Sequence, residues 1–223
     1  MSHLFGKVIK NVDTPVDDDQ WREVRLTPSG AILQVPWVQA LVFEGVVFGF
    51  QFGSVSTGIN GHAAVDPDQP EIAINIPDGI AGLPLQITAS AEGTTTLGAL
   101  DLLAAVSDVL SGAGTSTAGT AVNLRLDAPR GPSASVYHTF SGNGTDILTA
   151  AHHLELQRVH QLVDTDAATS GLVFARLDWS ALTHIAPVIL DGGTIGVFVE
   201  GQAAACSGFA TPIWAELSES AFQ

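Results

Sequence analysis

The stretch PEIAINIPDGIAGLPLQITASAEG, residues 70–93, decides the fold. Ile72, Ile74 and Ile76 alternate with small or polar residues, Pro77-Asp78-Gly79 has turn chemistry, and Leu83, Leu85 and Ile87 resume the alternation. A period of two residues puts every second side chain on one face of a strand, so the stretch reads as two strands, each with one face in a core. Outward from it the same pattern recurs in Val122, Leu124 and Leu126 and in Ile195, Val197 and Val199. VFGFQF (47–52), SVYHTF (135–140), GLVFARLDW (171–179) and PIWAEL (212–217) extend the set. About eight to ten short strands with turn residues between them predict an all-β, antiparallel β-sandwich.

One segment departs from this pattern. LGALDLLAAVSDVLS, residues 97–111, places Leu100, Leu103, Val106 and Leu110 at helical spacing and ends at Gly112, which predicts one short helix over 97–111. GAGTSTAGT (112–120) has no side chain able to anchor a core and reads as a loop. At 223 residues, with no repeat and no linker-like stretch, a single domain over 1–223 is expected.

Composition excludes several classes of function. With 46% hydrophobic residues and a mean hydropathy of +0.30 the chain has material for a core and is not globally disordered. Its 23 acids against 8 bases give a net charge of −15, and Lys7, Lys10, Arg22 and Arg25 lie among acids, so no basic arm is present to grip nucleic acid. The stretches 26–43 and 45–65 are uncharged or nearly so, but prolines in the first and glycines in the second argue against membrane spans. The start MSHLFGKV has no apolar leader core, so a soluble chain without export is expected. Cys206 stands alone, which removes disulfides within the chain and reads as a buried small residue.

The sequence carries none of the catalytic motifs GxSxG, GxxxxGK[ST], HExxH, CxxC and GxGxxG. The densest ionisable run is AHHLELQRVH, with His152, His153, Glu155, Arg158 and His160. On a strand His153 and Glu155 share a face, but one His and one Glu fall short of the HxH pair, following Glu and distant His of a cupin metal site. We read the run as a polar sheet face or subunit contact, and expect dialysed protein to hold no stoichiometric zinc, iron or copper. Asp17, Asp18 and Asp19, and the pairs Asp66/Asp68 and Asp164/Asp166, lack the order of a calcium loop and read as solvated carboxylates, with calcium between subunits as the other option. The sequon at 143–145 has no leader to route it to glycosylation. Among the tryptophans, Trp37 reads as core and Trp214 as outward-facing; Trp21 and Trp179 complete the set, whose exposed members would stack on sugars or anchor an interface. No catalytic, cofactor or metal residue is assigned, and no enzyme activity or cofactor is expected.

The run 70–93 and the ending GTIGVFVEGQAAACSGFATPIWAEL (193–217), about a fifth of the chain, resemble segments of jelly-roll virion structural proteins of bacterial viruses. The resemblance implies a jelly-roll sandwich, a capsid or capsid-associated subunit in many copies, a place in the virion after assembly in the host cytoplasm, and partners that are copies of itself and other virion proteins. The missing basic arm departs from capsid proteins that hold the genome, and leaves a vertex, decoration or tail-associated role open. A lectin-like carbohydrate-binding module, with a glycan as partner, is the alternative, and a cupin-like metalloenzyme the third. The 22 residues from Gly196 to Leu217 carry only Glu200 and Glu216 as charges, so an interface is expected to hide them.

Overall fold

The computed structural model describes residues 5–6, 22–23, 36–53, 58–93, 99–127, 130–142, 144–162, 173–202 and 206–221. In chain order the elements are β1 (Phe5–Gly6), β2 (Arg22–Glu23), α1 (Trp37–Glu44), β3 (Val47–Gly49), β4 (Ile59–Asn60), β5 (Ile72–Ile76), β6 (Ile80–Gly93) and β7 (Ala99–Ser107). There follow β8 (Thr115–Gly119), β9 (Val122–Asn123), β10 (Ser135–Gly142), β11 (His153–Leu162), β12 (Val173–Ser180), β13 (Gly193–Gln202), β14 (Ser207–Ser218) and a 3-10 turn at Glu219–Ala221.

Two antiparallel sheets face each other. One has the order β12-β6-β14-β3-β9 and the other β11-β7-β13-β5-β10-β8. Setting aside β8, β9 and β10 at the margins, eight strands remain, and in chain order they are β3, β5, β6, β7, β11, β12, β13 and β14. Each connection between them changes sheet except the one from β7 to β11, which stays beside its neighbour. First strand beside last, and third strand between last and sixth, is the double Greek key of a jelly roll. The sandwich and its jelly-roll order are therefore those expected.

Ile72, Ile74 and Ile76 of β5 are wholly buried and pair in register with β13, where Ile74 faces Ile195 and Ile72 faces Val197. Together with Leu100, Leu102, Val106, Ile87, Leu177, Trp179 and Trp214 they fill the space between the sheets. A large side chain buried in this way stabilises by about 1.5–3 kcal/mol over its exposed state. Pro84, an unexpected residue in a central strand, lies where the pairing of β6 with β14 slips by one residue between Ile213 and Trp214. Proline lacks the N–H a regular ladder needs, and a bulge is where a sheet tolerates it.

Residues 97–111 do not form the expected helix. Residues 99–107 are the strand β7, whose Leu100, Leu102, Ala104 and Val106 enter the main core while Leu103 and Ala105 pack on the opposite face against Phe198 and Ile147. With both faces buried there is no polar alternation to read, and closely spaced leucines satisfy a helical spacing by accident. The α-helix lies instead at Trp37–Glu44, ends on Gly45 in the left-handed conformation (φ 73°), and lays Val38, Leu41 and Val42 over Val47, Ala81 and Leu217 on the outside of the first sheet. Part of the expected loop 112–120 is also a strand, β8, at the edge of the second sheet beside β10. Only Val122 and Asn123 of the run 122–126 pair as a strand, and Val122 and Leu126 are exposed.

The apolar C-terminal stretch is not an edge awaiting a neighbour. β13 runs between β5 and β7, and β14 between β3 and β6, so their lack of charge reflects burial inside this chain's own sheets. No helix among the described residues is long and apolar enough to cross a membrane.

Candidate functional site

The outer face of the second sheet is covered by two returning segments. Val65 and the pair Ile147/Leu148 pack on Leu103, Ala105 and Phe198, and the segment carrying Val65 is tied down by backbone bonds from Gly144 to Asp68 and from Ile147 to Pro67. At the margin of this covered patch three ionisable side chains meet. They are His62 from the covering segment, Glu71 just before β5, and Glu200 near the end of β13.

Gly61 makes their approach possible. Its N–H donates to the Cys206 carbonyl at 3.0 Å, and a Cβ there would run into the Val199 carbonyl oxygen and the Cys206 thiol. The next residue then bridges to β13, with the Gly201 N–H donating to the His62 carbonyl at 2.9 Å. Glu71 is 3% exposed and Glu200 is 1% exposed, while His62 is part-buried. Ligand atoms of the three all lie within 4.8 Å of one another.

Backbone groups orient each side chain. The Val199 N–H donates to Glu71 Oε2 at 2.7 Å and the His62 N–H to Glu71 Oε1 at 3.1 Å. The Asp66 N–H donates to Glu200 Oε1 at 3.2 Å. The His62 ring sets Nε2 3.2 Å from the Phe140 carbonyl oxygen; a carbonyl only accepts, so Nε2 carries a proton. Nδ1 is left 3.3 Å from Glu71 Oε1, an ion-pair distance without the direction of a hydrogen bond, and Glu200 Oε2 has no partner at all.

The electrostatics follow from this crowding. The Glu71 carboxylate beside it raises the His62 pKa to about 9, against the opposing cost of burial. Burial first, and then the negative charge of Glu71, raise Glu200 to about 8. Glu71 is also pushed upward by burial, while His62 pulls it back. Burial thus favours the neutral form of both carboxyls, while His62 and Glu71 favour each other's charged forms. Burial and the same two carboxylates lift the Cys206 thiol to about 11, so it is not a thiolate nucleophile.

The residues singled out in the sequence fall elsewhere. His153 holds the Ala150 carbonyl with its ring, Glu155 is 3.8 Å from Arg158, and His160 pairs with Asp101 at 2.8 Å, all on or beside the edge strand β11. His153 and Glu155 are exposed and do not converge. Asp66 accepts from the Gln69 side chain at 2.7 Å in the turn above Glu200, and its carboxylate raises the pKa of Asp68. Asp17, Asp18, Asp19, Asp164, Asp166, Trp21 and Asn143 of the sequon lie outside the described residues. Trp37, expected in the core, is 47% exposed on α1, and Trp214, expected outward, is wholly buried with Trp179.

Sequence reasoning missed His62, Glu71 and Glu200 as a group because 138 positions separate the first from the last. One signal was present: EIAINI and GVFVEG each put a lone acid at the end of a strand with no other charge, where an acid is costly to bury without a purpose.

A second feature lies at one end of the sandwich. A cleft of about 540 Å³ is walled by Asp108, His152, Leu154, Pro187, Val188 and Leu190. Leu154, Val188 and Leu190 are exposed, and on the same connection Leu182 is 65% and Ile185 96% exposed. No family model and no curated protein matches this chain.

Proposed function

We propose that the chain is a virion structural protein, a multi-copy jelly-roll subunit of a viral shell or of its surface, whose partners are copies of itself and other virion proteins. The fold alone does not decide this, because jelly rolls serve capsids, lectins and cupins alike. The observation that carries the reading is the apolar lining of the 540 Å³ cleft, where Leu154, Val188 and Leu190 are exposed, with Leu182 and Ile185 also exposed on the connection that leads to Val188. Single exposed apolar residues are ordinary, but several lining one cleft mark a protein contact. A neighbouring copy, presenting the same apolar loop, is the occupant this surface fits.

Stacking on sugar needs exposed aromatic faces; Trp179 and Trp214 are buried and do not supply them, and the exposed rings Trp37, Phe43, Phe174 and Phe209 are those a lectin-like reading would use. A cupin-type centre would lie between the sheets, where isoleucine, leucine and tryptophan side chains pack against each other. The deciding experiment is light scattering and negative-stain microscopy across salt and calcium concentrations, with native particles analysed for the chain. Regular assemblies that Ile185→Asp with Leu190→Asp abolishes would support the shell reading. A chain monomeric in every condition and missing from particles overturns it, and glycan-array binding by such a monomer would favour the lectin-like alternative.

A further inference from the structure

His62, Glu71 and Glu200 carry a second inference, independent of assembly. Three facts converge on one point in space. Glu200, 1% exposed, has a carboxyl oxygen, Oε2, with no hydrogen-bond partner, although its other oxygen accepts from the Asp66 N–H. His62 donates Nε2–H to the Phe140 carbonyl, so in its neutral form the lone pair sits on Nδ1, the nitrogen that faces the carboxylates and lacks a hydrogen bond. Glu71 Oε1 lies 3.3 Å from that nitrogen, and Glu71 Oε2 is fixed by the Val199 N–H. A ring held through one nitrogen by a carbonyl, with the other nitrogen free, is how proteins orient a metal-binding histidine.

We propose that His62 Nδ1, Glu71 and Glu200 bind one divalent transition-metal ion of the zinc class, clamping the 61–71 segment to the end of β13. One nitrogen and two carboxylates suit zinc, which takes such ligands at about 2.0–2.2 Å and accepts four-fold coordination. Calcium, which takes about six to eight oxygens, finds too few here. The ligand atoms, within 4.8 Å of one another, close on the ion by a short inward movement. This site departs from the expectation of no stoichiometric zinc, which rested on His153 and Glu155 alone.

The test uses the full chain without an affinity tag, stripped with a chelator and dialysed. Zinc is titrated by calorimetry, and cobalt is added as a spectroscopic substitute. One zinc per chain, a raised melting temperature and visible cobalt absorption are expected. Glu200→Gln and His62→Gln should each weaken zinc binding by more than about 100-fold, beyond the 10–100-fold typical of residues that only support a ligand. His153→Ala should leave binding intact. Glu200→Gln is nearly isosteric with the protonated acid, and circular dichroism checks that it folds. Failure of the unaltered chain to take up zinc overturns the proposal. So does uptake that survives both substitutions at the site and disappears with His153→Ala.

Discussion

Trp214 donates its indole N–H to Glu216 Oε1 at 3.0 Å, two residues along the same strand, and both side chains are wholly shielded from water. Glu216 also accepts from the backbone N–H groups of Ser133 (2.6 Å) and Ala134 (3.1 Å), so one carboxylate satisfies two buried donors and one at the surface. It thereby ties the segment before β10 to β14. Glu216→Ala orphans the two buried donors and leaves Ser133 to water, and since an unsatisfied buried donor costs about 1–3 kcal/mol, a loss of roughly 2 kcal/mol or more is expected in denaturant unfolding. A loss below about 1 kcal/mol would mean that water replaces the carboxylate.

Trp214 itself packs against Phe48 with ring centroids 6.1 Å apart. Trp214→Ala is expected to cost about 3–5 kcal/mol through lost burial and the cavity left behind. A stable Trp214→Ala protein with selectively lost glycan binding would instead place this ring on a sugar.

The buried acids and His62 give the metal-free protein an unusual pH profile. His62, raised to about 9, adds stability that is complete below its unfolded pKa near 6.5 and is lost as pH rises through 9. Glu200, raised from 4.5 to about 8, must stay protonated when folded but ionises freely when unfolded, so it too erodes stability as pH rises across that interval. Both signs agree. The melting temperature of chelator-treated protein should fall steadily from pH 6 to 9, and Glu200→Gln should flatten that fall.

Assembly should respond to salt. With 23 acids against 8 bases, like-charged subunits repel, and screening within about 10 Å at 0.1 M salt weakens that repulsion. Light scattering is expected to show particle growth with rising salt, abolished by Ile185→Asp with Leu190→Asp while circular dichroism stays unchanged. Growth that ignores both salt and substitution would place the contact elsewhere.

Gly61→Ala probes the approach of His62 to β13. Because the added methyl group meets the fixed Val199 carbonyl, the backbone at 61–62 must move. Zinc-dependent stabilisation should disappear while the mainly β circular dichroism remains.

The alternation in 70–93 and 193–200 determined that this chain builds sheets, because a period of two has few other solutions in water. Composition likewise determined the acidic balance, 23 acids against 8 bases. Tertiary structure decided what local patterns hide. The segment 99–107 became a strand because both its faces are buried, and 37–44 became a helix because its apolar side chains lie over Val47, Ala81 and Leu217. Trp214 and Trp37 exchanged their expected places for the same reason: which face of an element is covered depends on partners distant in sequence. The site at His62, Glu71 and Glu200 arises where a covering segment, the start of one strand and the end of another come together, and only chain folding brings residues so far apart within 4.8 Å.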